Sequence, residues 1–137
     1  MKLKLILLCT LALIITVAAT TISINDKEVT TPEMQSKMKL RHVVMFKFKD
    51  TASKEDIKKV EEAFAALPSK IPAIKAFEWG LNNSPETFDK GFTHCFLLTF
   101  DSEEGRDEYL PHPAHKAFGE IVGPVLDDLH VMDYWTK

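Results

Sequence analysis

The sequence has little cysteine and no basic run, and each shortage excludes a class of protein. Only two of its 137 residues are cysteines, and Cys9 lies in the apolar N-terminal segment. Removal of that segment would leave Cys95 alone, so an intramolecular disulfide could not form even in an oxidising compartment. Lys and Arg number 17 against 20 Asp and Glu, for a net charge of -3. Because nucleic-acid binding needs clustered Lys and Arg, we expect no nucleic-acid partner.

The remaining composition is typical of one folded domain. Hydrophobic residues make up 45% of the chain and charged residues 27%, which excludes disordered, collagen-like and coiled-coil proteins. A chain of this length has room for one hydrophobic core and not for two. The sequence therefore predicts a single domain, with further segments outside it.

Residues 1–19 have the pattern of a secretory signal peptide. Lys2 and Lys4 precede an uncharged run from Leu5 to Val17, and small residues follow at the positions that a signal peptidase reads. The run is shorter than the roughly 20 residues of a spanning helix, so a retained anchor is the less favoured alternative. We expect an exported protein, periplasmic or secreted, with no stable membrane span once the leader is cleaved.

The folded domain is predicted over residues 39–136. Residues 20–38 are rich in Thr, Ser, Lys and Glu without a sustained hydrophobic period, which predicts a flexible linker. Beyond them, the periodicity predicts a strand, a helix, two strands, two helices and a last strand. The predicted strands span 40–49, 73–81, 92–100 and 129–135, and the predicted helices span 54–67, 103–110 and 113 to about 128.

Capping residues and prolines set the predicted helix ends. Ser53 and Ser102 are predicted N-caps, and His112 is predicted to be the N-cap before Pro113 at the first helical position. Gly123-Pro124, inside the last predicted helix, predicts a kink there.

This order of elements predicts an α+β, ferredoxin-like domain, in which a four-stranded antiparallel sheet has its helices on one face. The first and third strands would be central, and the third is apolar enough to predict burial on both faces. Cys95, within it, is interpreted as a small buried hydrophobe. The face without helices would carry Val43, Met45, Cys95 and Leu97. Because such an apolar surface needs a cover, we expect a homodimer whose sheets pack face to face.

Four segments carry a resemblance to a known family. They are the opening strand at 41–50, Ile-Pro-Ala-Ile at 71–74, Thr-His at 93–94 and His-Pro-Ala-His at 112–115. Over 39–136 the chain resembles the stress-responsive dimeric α/β-barrel (Dabb) family. The resemblance implies a ferredoxin-like protomer and a homodimeric α/β barrel. The family includes plant stress proteins and a cofactor-free polyketide cyclase.

Three histidines and a tyrosine are candidates for a proton-transfer site. His42 and His94 lie on the inward faces of the central strands, and Tyr109 and His115 lie near the junction of two helices. Histidine is the natural base near neutral pH, and a buried tyrosine O–H can polarise a carbonyl. The aromatic side chains predicted to line the same pocket are Phe46, Phe64 and Phe96.

The resemblance implies roles for two of these residues. In the cyclase, the residues that match Tyr109 and His115 are the catalytic pair. Carried over, Tyr109 would polarise a substrate carbonyl and His115 would take a proton from carbon, with His42 and His94 as pocket partners and without metal or cofactor. An exported protein does not meet coenzyme A thioesters, which weighs against the cyclase's own substrate class.

Three functions are left open by the sequence. The favoured one is an exported homodimer that binds a small apolar or aromatic molecule. The second is a cofactor-free lyase or cyclase using Tyr109 and His115, and the third is a structural stress protein without catalysis. His42 and His94 also suit core histidines that are hydrogen-bonded across strands. A zinc site of His42, His94 and His115 is the least favoured reading, so no metal is expected.

Overall fold

The structure, a computed structural model, describes residues 38–137. The predicted signal peptide at 1–19 and the predicted linker, except Met38, lie outside the described residues. The strands are β1 (Leu40–Phe48), β2 (Ala76–Leu81), β3 (His94–Phe100) and β4 (Leu126–Trp135). The helices are α1 (Lys54–Ala65), α2 (Leu67–Lys70), α3 (Glu103–Tyr109) and α4 (Pro113–Val122).

The four strands form one antiparallel sheet in the order β2-β3-β1-β4. This confirms the predicted ferredoxin-like α+β fold, with the first and third strands in the centre. In the β1–β3 register Phe46 is paired with His94 and His42 with Leu98. The register therefore puts both histidines on one face of the sheet, which we call the inner face, because side chains alternate between faces along a strand.

An aromatic core joins the inner face to the helices. Phe64 of α1 packs against Phe96 of β3 and Phe118 of α4, with ring centroids 4.3 and 4.6 Å apart. Phe46 of β1 closes the cluster at 5.2 Å from Phe96. All four rings are buried, and burial of each contributes about 1.5–3 kcal/mol to the stability of the folded state. The core thus fixes both helices over the central strands.

The predicted caps are confirmed. The hydroxyl of Ser53 accepts a hydrogen bond from the Asp56 amide, and that of Ser102 from the Gly105 amide. His112 caps α4, since its Nδ1 accepts a hydrogen bond from the Ala114 amide at 3.1 Å. Nδ1 of His112 is therefore already hydrogen-bonded to the backbone of α4.

Several predicted element boundaries are wrong. The last helix does not continue with a kink to residue 128; α4 ends at Val122, and β4 already begins at Leu126. The reason is Pro124, which has no N–H to donate and clashes with the preceding turn of a helix. The second and third strands also begin later than predicted, at Ala76 and His94, and α1 ends at Ala65, before Pro68.

The prediction that the third strand is buried on both faces is also wrong for this protomer. Its inner-face residues are buried, whereas Cys95 on the opposite, outer face is exposed and Leu97 is half-buried. Cys95 is therefore not a buried hydrophobe, because no helix covers the outer face. Partial desolvation, with the Glu78 charge as the smaller cause, raises the pKa of its thiol.

Candidate functional site

Tyr109 is the centre of the candidate site. It is the last residue of α3 and is only 1% exposed. Its ring contacts the rings of His115, Phe100 and His42, with centroids 4.2, 5.4 and 5.7 Å away. Burial raises the pKa of the Tyr109 phenol well above its usual value. The phenol therefore keeps its proton and remains a hydrogen-bond donor across the neutral range.

The local sequence explains how Tyr109 and His115 meet. Ser102 caps α3, and Glu103 and Glu104 in its first turn favour its N-terminus electrostatically. Directly after α3 the His112 amide donates to the Tyr109 carbonyl at 3.1 Å, and His112 then starts α4. This tight corner brings the first turn of α4 back against the end of α3.

His42 approaches Tyr109 from β1 and is held by a carboxylate. It is 5% exposed, and its Nδ1 lies 2.6 Å from Oδ1 of Asp133 on β4. An ionised carboxylate only accepts hydrogen bonds, so Nδ1 carries the proton and donates. Nε2 of His42 is then the ring atom with a free lone pair.

His115 also donates a hydrogen bond from Nδ1, but to a different partner. Its Nδ1 lies 2.9 Å from the carbonyl oxygen of Leu110, which can only accept, so Nδ1–H donates here too. Nε2 of His115 is left with a free lone pair. Both histidines beside Tyr109 therefore share one tautomer, while His112 has the other, because its Nδ1 accepts.

Three polar atoms around Tyr109 are available to a ligand. No hydrogen bond among residues 38–137 involves the Tyr109 hydroxyl or Nε2 of His42 or His115. Every fully buried polar side-chain atom in the described part of the chain has a partner. It follows that these three atoms are not fully buried, and the site thus offers one donor and two acceptors.

His94, the third predicted histidine, is not brought to this site. Its Nε2 lies 3.0 Å from Oε1 of Glu61, its Nδ1 lies 2.8 Å from the Thr93 hydroxyl, and Trp79 stacks on its ring. The register separates it from His42 by four residues along the sheet, about 13 Å. A zinc site shared by His42, His94 and His115 therefore does not form.

The predicted pocket aromatics Phe46, Phe64 and Phe96 lie in the core described above. They contact one another and Phe118 rather than Tyr109. That they line a ligand pocket stays a prediction, as do the catalytic roles of Tyr109 and His115.

Asp133 and the apolar strip beside it were not predicted from the sequence. Leu129 and Val131 lie on the inner face of β4 and are 48% and 45% exposed, while their β1 neighbours in register, Phe46 and Val44, are buried. The helices thus cover the central strands and leave the inner side of β4 open. The signal was the alternation of Leu129, Val131 and Asp133, since a carboxylate on an apolar face needs a partner.

The outer face of the sheet carries a concavity. It is a groove of about 750 Å³ between the β2–β3 pair and the loop at 82–93. Apolar residues that line it include Met45, Leu97, Phe88 and Phe92. The groove is thus on the side of the sheet opposite Tyr109. As for membranes, none of the helices within residues 38–137 has both the length and the apolar character needed to cross one.

Comparison with known proteins places the chain in a family. Residues 40–136 match the family model described as the stress responsive A/B barrel domain. The chain is 40% identical over 100 residues to the stress-response A/B barrel domain-containing protein HS1 of Arabidopsis thaliana, an alignment that covers 73% of this chain and 92% of that protein. It is 31% identical over 100 residues to olivetolic acid cyclase of Cannabis sativa, covering 73% and 99%.

Solved structures agree with this assignment. The hydroxynitrile lyase from Passiflora edulis superposes with a TM-score of 0.68 at 25% identity, over 72% of this chain and 94% of that one. A dimeric ferredoxin-like protein from Thermobifida fusca superposes with a TM-score of 0.62 at 27% identity, over 71% and 90%. The resemblance found in the sequence is thus confirmed, and the chain belongs to the stress-responsive A/B barrel domain family.

Proposed function

We propose that this protein binds a small, mainly apolar or aromatic molecule that carries a carbonyl or hydroxyl group, at the site around Tyr109. One observation carries the proposal: three polar atoms without a hydrogen-bond partner among residues 38–137 adjoin an uncovered apolar strip. They belong to the buried side chains of Tyr109 and His42 and to the half-buried side chain of His115. Sites for small molecules typically combine an apolar lining with a few convergent polar groups. A core that served stability alone would pair these atoms or replace them by apolar groups.

The ligand's polar and apolar parts have different contacts in this arrangement. A ligand oxygen accepts a hydrogen bond from the Tyr109 hydroxyl, and a ligand hydroxyl donates to Nε2 of His42 or His115. The apolar part lies along Leu129 and Val131. Burial of 100 Å² of apolar surface there contributes about 2.5 kcal/mol.

The functional unit in this proposal is a homodimer, with a second copy of the chain on the outer face. Half-buried Val43 and Met45 and exposed Cys95, Met132 and Tyr134 support it, because an apolar face of this kind is unusual on a monomer. The Thermobifida fusca neighbour is described as dimeric. A partner sheet would also cover the outer groove.

Export is the remaining part of the proposal. The Lys2 and Lys4 head and the uncharged run from Leu5 to Val17 support a signal peptide over residues 1–19. The intact mass of the protein recovered outside the cytoplasm should lack these residues. A mass that includes them would instead favour a retained anchor.

A cofactor-free lyase or cyclase is the second candidate, and one observation favours it. In the neutral form of both histidines beside Tyr109 the proton lies on Nδ1, so Nε2 of each is a base next to a hydrogen-bond donor. Nε2 of His115 would take a proton from a carbon next to a carbonyl, while the Tyr109 O–H stabilises the negative charge on the oxygen. Two relatives of the chain are named olivetolic acid cyclase and hydroxynitrile lyase, which supports a lyase or cyclase function.

Native mass spectrometry of the full chain, produced with its leader in an exporting host, tests the proposal. The wild type should be a dimer with a discrete added mass, and Tyr109→Phe and His115→Ala should lose that mass. Tyr134→Phe, which removes the same hydroxyl from the outer face, is the matched control and should keep it. A dimer without added mass would favour the structural alternative, and a monomer would contradict the face-to-face arrangement.

A further inference from the structure

We infer that Arg106 is a positioning residue for the Tyr109 site, because it fixes the carboxylate of Asp133 and thereby the tautomer and orientation of His42. The inference rests on the proposed function only for the importance of His42 Nε2 to a ligand. The clamp itself is a property of the protein without ligand.

The two oxygens of Asp133 have different partners. Oδ1 accepts from His42 Nδ1 at 2.6 Å, and Oδ2 accepts from Arg106 Nη1 at 3.1 Å. The chain of contacts therefore runs from α3 through β4 to β1. Arg106 lies three residues before Tyr109 on α3, so one helical turn supplies both the donor of the site and the clamp on its neighbouring base.

Asp133 needs this second partner because of where it lies. It is on the edge strand β4, beside the half-exposed Leu129 and Val131, and its side chain is 28% exposed. A carboxylate with water on one side can rotate and exchange its single protein partner for solvent. A bond from each oxygen to a different element removes that freedom.

Arg106 is itself held in place. Its Nε and Nη2 donate to Oδ1 of Asp107 at 3.2 and 3.0 Å, and its side chain is 22% exposed. The fork geometry of a guanidinium permits these contacts together with the one to Asp133, which a lysine ammonium could not reproduce in full. The Arg106 contact to Asp107 faces the solvent side and does not touch the site.

The consequence concerns the hydrogen-bonding character of His42. With Nδ1–H pinned on Asp133, Nε2 is the acceptor atom of the neutral ring. Without the clamp, the ring can adopt the Nε2–H tautomer. Nε2 is then a hydrogen-bond donor at the position where the wild-type protein offers the ligand an acceptor. A ligand that donates to His42 would therefore bind more weakly although no contact residue has changed.

Nitrogen NMR of the imidazole rings tests the clamp directly. We would record the wild type and Arg106→Ala without ligand at about pH 8.5, well above the ordinary imidazole pKa of about 6.5. His42 should be in the Nδ1–H tautomer in the wild type. In Arg106→Ala the ratio of the Nε2–H to the Nδ1–H tautomer should rise about tenfold, the equivalent of about 1.4 kcal/mol.

Three further variants make the result specific. Asp107→Ala removes the other partner of Arg106 but leaves the bond from Arg106 to Asp133, so it should change the His42 tautomer ratio much less than Arg106→Ala does. Arg106→Lys keeps the charge and should restore part of the wild-type ratio. Should Arg106→Ala fail to fold in a thermal unfolding scan, Arg106→Gln should show the same change in tautomer ratio as expected for alanine.

Two results would overturn the inference. One is the same His42 tautomer ratio in wild type and in the folded Arg106 variants; the other is a wild-type His42 that is already in the Nε2–H form. Failure of the proposed function looks different. In that case the tautomer ratio responds to Arg106→Ala, but 4-hydroxyacetophenone, which has both a donor and a carbonyl, shifts no signal of His42 or His115 in the wild type.

Discussion

His42 and His94 occupy the same face of the same sheet, yet their surroundings differ in one respect. Each is nearly buried and each has a carboxylate partner, Asp133 for His42 and Glu61 for His94. His94 has a second partner in Thr93 and a stacked Trp79, so both of its nitrogens are used. His42 uses one nitrogen and leaves the other beside Tyr109.

The difference separates a histidine that stabilises the fold from one that is poised for a ligand. A buried ring with both nitrogens bonded gains nothing from a further partner, and its removal leaves those partners and a cavity behind. A buried ring with one free nitrogen retains the capacity to bind or to take a proton. The His94 variant should therefore lose more stability than the His42 variant and keep the ligand, whereas the His42 variant should bind the ligand more weakly.

Of the two histidine variants, His94→Ala should have the larger effect on stability. The variant should lower the free energy of unfolding by about 3 kcal/mol, because it removes two hydrogen bonds and leaves a cavity between Phe48, Trp79 and Phe96. Urea denaturation measures this loss. The folded fraction should still retain the ligand mass, and loss of the ligand with little loss of stability would reverse the roles of the two histidines.

Alkaline pH should destabilise the protein through Tyr109, which contacts His42 and not His94. The folded state keeps the phenol proton at pH values where the unfolded chain has released it, because burial raises the pKa of Tyr109 above its usual value of 10.0. Above about pH 10 the unfolding free energy should therefore fall by about 1.4 kcal/mol per pH unit.

The Tyr109→Phe variant isolates this contribution from the lysines that titrate in the same range. The difference between wild type and Tyr109→Phe should be constant below about pH 10 and should shrink above it. Chemical denaturation at a series of pH values measures the difference. A constant difference up to pH 12 would mean that the Tyr109 phenol ionises as freely in the folded protein as in the unfolded chain.

His42→Ala should cost less stability than His94→Ala. Both variants leave a cavity, but His42→Ala removes one hydrogen bond rather than two, and Asp133 keeps its bond to Arg106 and its access to water. We therefore expect a loss smaller by about 1 kcal/mol. The same variant should weaken retention of the ligand. Urea denaturation and native mass spectrometry on the same sample check both expectations, and a stability loss equal to that of His94→Ala would remove the contrast.

The smallest expected effect on stability is that of Leu129→Ser on the apolar strip. Because Leu129 is half-exposed, the variant should change the unfolding free energy by about 0.5 kcal/mol or less. Phe46→Ala, at the paired position on β1, should by contrast cost about 3–5 kcal/mol. Leu129→Ser should still weaken ligand binding, and unaltered binding would exclude the strip from the site.

Much of the fold follows from the sequence alone, because its signals are local. Period-two alternation from Leu40 to Phe48 predicts β1 and its buried face, and the caps at Ser53, Ser102 and His112 fix three helix starts. The end of α4 was missed because the apolar residues Val122, Val125 and Leu126 continue a helical pattern past Pro124. There the proline overrides the periodicity.

The site was predictable only in part, because its geometry depends on long-range pairing. Adjacency in sequence brings Tyr109 near His115, and the central position of β1 brings His42 to the inner face. The hydrogen bonds that join His94 to Glu61 and His42 to Asp133 depend on strand register and on contacts across up to 91 residues of chain. The same holds for the bond from Arg106 to Asp133. No local pattern encodes those partners.

One measurement tests the central claim most directly: a titration followed by NMR of the histidine side chains, with acetophenone as the probe. Ethylbenzene, which has the same ring and no carbonyl, is the matched control. We predict that acetophenone shifts the signals of His42 and His115 and leaves those of His94 in place. Ethylbenzene should shift the signals of His42 and His115 less, and Tyr109→Phe should abolish the difference between the two probes. Equal responses of His94 and His42 to acetophenone, or no response of either, would contradict the account.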